Sequence, residues 1–321
     1  VRRSDDRVRI TAQLIDVSNG QHIWADRYDR ELHDVFAVQD EITKQIVAAL
    51  TLRLHDSENE TIVHPTATNN FEAYDLFLKG LSMYYNYSDE SLQNSVELFR
   101  EAINLDPEFS RAYASLAVSL MRQAFAGHTS HPVETRKRSY ELAHKAVSLD
   151  PNSPHALWAL GFVYMHRRQF EDSIAALEKA ISIRPQYAEA YSLLALVNNN
   201  LGNADEAIRL IETGMELNPN YTWDYLFNLG RAYYIQGDYK NAVKYLERAI
   251  ERNPNVAPLR VFLAASYVNL DRIGDAEWQI VELEMQHPNS SLSHWENTYP
   301  IASKERINKL LNDLRSAGMK E

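Results

Sequence analysis

His128 and His131 stand three residues apart, between Gly127 and Pro132. Two imidazoles at that interval could share a metal ion. A protein metal site needs three or four ligands, however, and no third ligand is set at a matching interval. They are expected to be ordinary loop histidines. Cysteine is absent, which removes disulfides, Cys-ligated zinc and iron–sulfur chemistry. Serines and carboxylates are plentiful, but their spacing suggests no set of nucleophile, base and orienting group. No glycine-rich phosphate loop occurs. The chain is expected to be non-catalytic, with no metal and no cofactor.

The bulk numbers narrow the partners. The 321 residues carry 33 Lys+Arg against 44 Asp+Glu, a net charge of -11. An acidic chain without a basic block gains little by displacing counterions from nucleic acid, so DNA and RNA are not expected partners. Hydrophobic residues make up 45% and charged residues 24%, enough for a substantial core. No run of about 18 apolar residues and no signal peptide is visible, so direct membrane insertion by this stretch is not expected. Val1 is not a usual translation start. The chain therefore reads as a piece of a longer protein, and its compartment, cytoplasmic or periplasmic, stays open.

The organisation that must position any site is a repeat. Prolines at 107, 151, 185, 219, 254 and 288 are spaced by 44, 34, 34, 35 and 34 residues. A small residue lies twelve before each: Ser95, Ser139, Ser173, Ala207, Ala242 and Ala276. A second small series is Gly80, Ala117, Gly161, Ala195, Gly230 and Ala264. Two antiparallel helices per unit explain both series, because small residues at the crossing let backbones approach. Bulky partners one turn away fill the gaps: Leu160 with Leu177, Leu194 with Ile211, Leu229 with Leu246, Leu263 with Ile280. Proline ends each second helix. Turns inside the units are expected at Arg168-Gln169, Gly202-Asn203, Gly237-Asp238 and Gly274-Asp275. One such pair cannot bury its apolar face alone, so the units must stack.

The period of 34 and segments such as Ala156–Tyr164 with Ser173–Ile181 resemble tetratricopeptide repeats. The resemblance implies a mainly α fold: an α-solenoid of six helix-pair units over residues 71–288, with a capping helix and tail over 289–321. Ser303–Ala317 carries that helix, with Ser303 as cap and Ile307, Leu310, Leu311 and Leu314 on one face. Two units are stretched. The first has three extra residues around 88–91; the second has ten around 125–134, expected mostly as a longer loop. In this family the first helix of each unit lines the concave surface. Off the packing stripe there stand Tyr84, Arg111, Trp158, Phe162, His166, Asn199, Asn200, Asn228, Arg231, Tyr234 and Asn269. Aromatic anchors with amides and arginine suit a peptide or helix of a protein partner. Several of them, Trp158 and Phe162 above all, could instead pack between units. The family's peptide-carboxylate clamp needs several Lys/Arg with Asn, and only Arg111, Arg231 and the asparagines are present.

The first sixty residues differ. Val8, Ile10, Ala12 and Leu14 alternate with polar residues as a strand. Residues 18–20 read as a hairpin turn, His22–Tyr28 as a second strand, and Asp34 as the cap of a helix to about Leu54. Val1–Arg3 reads as the tail of a preceding strand. This partial α/β segment is too small to stand alone. Residues 1–16, 22–30 and 34–42 resemble the end of the TolB-amino-terminal-like domain. That domain precedes such repeats in bacterial class III adenylate/guanylate cyclases and CadC-type winged-helix regulators. The resemblance implies a regulatory interaction scaffold lying C-terminal to an output domain, a nucleotide cyclase first. Alternatives are a homo-oligomerisation module, giving a homodimer, and the periplasmic sensor part of a winged-helix regulator.

Overall fold

The computed structural model describes residues 2–4, 7–15, 22–31, 38–39, 41–42, 45, 68–86 and 88–321. They fall into two compact units, Val1–Asp75 and Leu76–Glu321.

In the first unit, β1 (Arg2–Ser4), β2 (Arg7–Ile15) and β3 (His22–Glu31) form an antiparallel sheet in the order β1-β2-β3. Ile10 pairs with Tyr28 and Val8 with Arg30. Val8 and Tyr28 are buried while Arg9, Thr11 and Gln13 face solvent, the alternation read from the sequence. Directly opposite one another, Arg9 and Asp29 form an exposed ion pair, and the bond from Arg9 holds the Asp29 carboxyl below its ordinary range. β3 runs three residues past Tyr28. The hairpin turn and the Asp34 cap lie outside the described residues. Residues 38–39, 41–42 and 45 are helical, with Val38 buried.

The second unit is an α-solenoid of helix pairs. The unit boundary falls within α1 (Phe71–Tyr84), which pairs with α2 (Asp89–Leu105). The later pairs are α3 (Ser110–Ala126) with α4 (Pro132–Leu149), α5 (Pro154–His166) with α6 (Phe170–Ile183), and α7 (Ala188–Leu201) with α8 (Ala204–Leu217). Then come α9 (Trp223–Gln236) with α10 (Tyr239–Arg252) and α11 (Ala257–Val268) with α12 (Ile273–Gln286). Each second helix stops two residues before its proline. The small residues sit at the crossings. A Cβ added at Gly230 would stand 2.7 Å from Leu246 Cγ, and one at Gly161 2.8 Å from Leu177 Cγ. Where the facing residue is serine its hydroxyl is satisfied across the crossing: Ser139 Oγ donates to Ala117 O and Ser173 Oγ to Gly161 O, each at 2.7 Å. Successive first helices α3, α5, α7, α9 and α11 also pack on one another, which places them on the inner side of the stack.

Two expectations are corrected. The ten extra residues of the second unit are not mostly loop. They lengthen α3 to 17 residues and α4 to 18, leaving only 127–131 between them. Pro132 opens α4, a position where its missing N–H costs nothing. The turn of the sixth unit is not at Gly274-Asp275, which lie in the first turn of α12. The left-handed residue there is Asp271 (φ 57°), at the repeat position held by Arg168 (φ 61°), Gly202 (φ 87°) and Gly237 (φ 84°).

Beyond the repeats come α13 (Leu292–Thr298) and α14 (Lys304–Ser316). Ser303 caps α14, its side chain accepting from Arg306 N. Ile307, Leu310, Leu311 and Leu314 are buried, with Leu310 and Leu314 fully so. α14 packs on α13 and on α11, a first helix, so it covers the last repeat from the inner side.

Candidate binding groove

A cavity of about 1120 Å³ lies along the first helices, bounded on one side by residues of the C-terminal segment. Tyr84, Trp158, Phe162, His166, Asn200, Asn228 and Arg231 all line it. Tyr84 and Trp158 also border a smaller cavity of about 140 Å³, together with Arg111.

The aromatic end is built by spacing of four on one helix. Trp158 and Phe162 stack with centroids 5.8 Å apart, and Phe162 meets the His166 ring at 4.5 Å. Trp158 Nε1 donates to Glu189 O at 3.0 Å, so its polar edge ties α5 to α7 while its face borders the cavity. His166 keeps some exposure to the cavity but lies among Phe125, Phe162 and nearby Arg122. Burial, and secondarily the Arg122 charge, push its pKa down to about 3. The imidazole is therefore neutral at physiological pH. At the start of the stack Arg122 lies over Tyr84 (4.3 Å) and Arg111 over Phe77 (5.1 Å).

The asparagines bind neighbouring helices together. Asn199 Nδ2 donates to Asn228 O at 2.8 Å, and Asn228 Nδ2 to Ser192 O at 3.0 Å. Asn200 Oδ1 accepts from Arg231 Nη2 at 2.8 Å. Asn199 is taken up by this ladder and does not line the cavity. Arg231 is fully buried, with its guanidinium carbon 5.5, 4.7 and 5.1 Å from the ring centres of Phe227, Phe262 and Tyr299. Burial lowers its pKa. Tyr234 and Asn269 lie elsewhere. The Tyr234 hydroxyl donates to Asp313 Oδ2 at 2.6 Å and Asn269 Nδ2 to the same oxygen at 2.9 Å, with Lys309 joining both Asp313 and Asn269. Both side chains are engaged by α14. His128 and His131 are exposed in the 127–131 connection, where His131 Nδ1 meets Ser130 Oγ at 2.8 Å.

Sequence reasoning missed Phe227 and Arg122. Phe227 stands three before Gly230, as Trp158 stands three before Gly161. Arg122 stands five after Ala117, as His166 stands five after Gly161. The period itself was the signal for both. Tyr299 and Trp295 lie beyond the period and had no such signal.

Two tetratricopeptide-repeat family models match, one over residues 186–255 and one over 137–197 and 233–294. Of the solved structures similar to the chain, one is a thermophilic TPR protein of Thermus thermophilus, TTC0263. It shows 19% identity over 61% of this chain and 99% of that one, with a TM-score of 0.50. Another is the APC/C hetero-tetramer Cut9–Hcn1, at 16% identity over 83% of this chain and 54% of that one, TM-score 0.54. Both likenesses concern the fold. A protein of Rhizobium meliloti (strain 1021) named "Putative adenylate cyclase 3" is 39% identical over 118 residues. The match takes in 37% of this chain and spans only 20% of that protein's length.

Proposed function

Because residues 137–294 carry tetratricopeptide repeats, normally non-catalytic scaffolds, we propose that this chain is a protein-interaction module whose inner groove takes a partner. The observation that carries the reading is the cavity of about 1120 Å³, walled by Trp158 and Phe162 at one end and Arg231 further along. Stacked aromatics beside hydrogen-bonding amides are the composition of a peptide anchor. In the parent protein the module regulates a domain N-terminal to it, a nucleotide cyclase. The 39% identity to a cyclase-named protein over 118 residues supports that assignment, as does the resemblance of residues 1–42 to the end of a TolB-amino-terminal-like domain.

Affinity capture with the chain, alongside Trp158→Ala and Phe162→Ala variants, tests the groove. A partner recovered by the natural chain and lost by both variants is the expected result; a partner retained by both refutes it. Deleting the repeats from the full-length parent is expected to change cyclase output. Unchanged output would sink the regulatory part.

One observation favours self-association as a second reading. Trp278, Val281 and Met285 are 58%, 45% and 74% exposed along α12. The same repeat positions in α10 hold Lys244, Glu247 and Glu251. A strict monomer at high concentration by light scattering would count against it.

A further inference from the structure

Part of the groove is already filled by the chain itself. Between α13 and α14, residues 299–302 read Tyr-Pro-Ile-Ala, and Tyr299 is extended (φ -76°, ψ 127°). This strap reaches back from beyond the sixth repeat to the third and fourth. Arg168 Nη2 donates to Tyr299 O at 3.0 Å and Arg168 Nη1 to Ile301 O at 3.5 Å, while Ala302 N donates to Asn200 O at 2.9 Å. All three bonds go to the strap's main chain. The side chains of Tyr299 and Ile301 enter the protein and are 4% and 6% exposed. Main-chain bonds with alternate side chains in pockets are how extended peptides are held. Arg168 takes this role from a left-handed backbone conformation that a non-glycine residue adopts at a cost.

Under the Tyr299 ring lies a second oddity. Arg231 makes one side-chain hydrogen bond, to Asn200 Oδ1, and its Nε and Nη1 have no partner. Asn200 Nδ2 is likewise buried without one. Among the described residues no carboxylate pairs with Arg231. A buried guanidinium lacking an anion is costly, and three aromatic faces offset only part of that. Unused donors from two adjacent side chains form a seat for a carboxylate, which accepts charge-assisted bonds that a tyrosine ring cannot.

We propose that residues 299–302 are a displaceable internal occupant of the groove, and that the segment replacing them is an extended peptide of a partner seating an acidic side chain on Arg231 and Asn200. This rests on the groove reading above. A tethered strap competes at an effective concentration in the millimolar range, so it holds the groove against weak ligands and yields to a better one.

Fluorescence anisotropy of the full chain tests this with three labelled peptides. One has the sequence of residues 295–303; the others carry Tyr299→Glu and Tyr299→Gln. The proteins are the natural chain and a Tyr299→Ala/Ile301→Ala variant, each checked for helicity. All three peptides are expected to bind the loosened variant at least about tenfold more tightly than the natural chain. The glutamate peptide should exceed the glutamine peptide by about tenfold. Arg231→Met in the loosened variant should erase that difference; the glutamate–glutamine pair keeps the charge test alive if Arg231→Met does not fold. Equal binding to both proteins, or binding to neither, overturns the strap as occupant. Equal affinity of the glutamate and glutamine peptides overturns the carboxylate seat. If Trp158→Ala abolishes capture of a natural partner while no peptide binds, the groove reading stands and this inference alone fails.

Discussion

The inner face of the repeats has two halves that carry similar side chains under different circumstances. Over α3 and α5, Arg111, Trp158 and His166 border cavities. Over α9 and α11, Arg231 lies beneath Tyr299, and Tyr234 and Asn269 hold Asp313 of α14. The repeat position five residues past the small crossing residue is thus open at His166 in one half and consumed at Asn269 in the other. Position within a repeat determines which way a side chain faces. What crosses it in three dimensions determines whether it is available to a partner.

The largest break in this comparison comes from removing the closure itself. Leu314 is fully buried in the cluster that joins α14 to α9 and α11. Leu314→Ala is expected to cost about 2–5 kcal/mol, the range for a leucine cavity in a packed core. Urea unfolding followed by far-ultraviolet circular dichroism reads it. A loss below about 1 kcal/mol would mean that the closing segment contributes little to the closed half.

Gly202 gives a sharper cut. A Cβ there would stand 1.0 Å from Arg306 Nη1, and the residue is left-handed at φ 87°. That guanidinium also donates to Leu201 O, so it crosses where a side chain would be. Gly237 has nearly the same backbone (φ 84°), yet its nearest neighbour to an added Cβ is the Tyr239 hydroxyl at 4.0 Å. Both alanine variants meet the left-handed strain of about 1–2 kcal/mol. Only Gly202→Ala also expels Arg306, and its thermal midpoint should fall by several degrees more. Equal losses would mean that the Arg306 crossing adds nothing.

The same two glycines show what was legible. A 34-residue period with small residues at two fixed positions dictates paired helices, and that part of the fold was readable throughout. The extra residues near Gly127 were misjudged because a spacing counts residues without saying whether they lengthen a helix or a loop. Gly274 was misjudged because glycine is the commonest signal of a turn, whereas Asp271 occupies the left-handed position at φ 57°. Among the groove residues, orientation was readable for Trp158, Phe162 and Arg231. The engagement of Tyr234 and Asn269 was not, since it depends on Asp313, which lies 79 and 44 residues further on and outside the period.

Acid should separate the halves by another route. His166 has its pKa depressed to about 3, so the unfolded chain takes up the proton first as pH falls. Stability from this group is complete above the ordinary value near 6.5 and is lost progressively from there toward 3. Burial lowers His144 and His294 in the same direction. Each histidine can contribute a slope of at most about 1.4 kcal/mol per pH unit. Unfolding midpoints measured between pH 7 and 5.5 should fall, and His166→Gln should flatten the fall. Phe125 touches both His166 and Tyr299. In Tyr299→Ala, an NMR titration should therefore find His166 nearer its ordinary value. An unmoved titration would show that the strap does not shield the open half.

The smallest effect makes the finest comparison, because it sets one backbone conformation against two circumstances. Arg168 and Asp271 are non-glycine residues in the left-handed region, at the same position of the third and sixth repeats. Asp271→Gly relieves strain of roughly 1–2 kcal/mol and loses about 0.5–1 kcal/mol through the greater freedom of the unfolded glycine. It should be neutral or slightly stabilising. Arg168→Gly receives the same backbone relief but gives up two donors to the strap carbonyls. Hydrogen bonds of that kind contribute about 0.5–1.5 kcal/mol each, which outweighs the relief. Arg168→Gly should therefore be the less stable of the two by about 1–2 kcal/mol, with faster hydrogen exchange at Ala302 N, whose acceptor is Asn200 O. If the two variants behave alike, Arg168 does not hold the strap, and the strained backbone at φ 61° has a different reason.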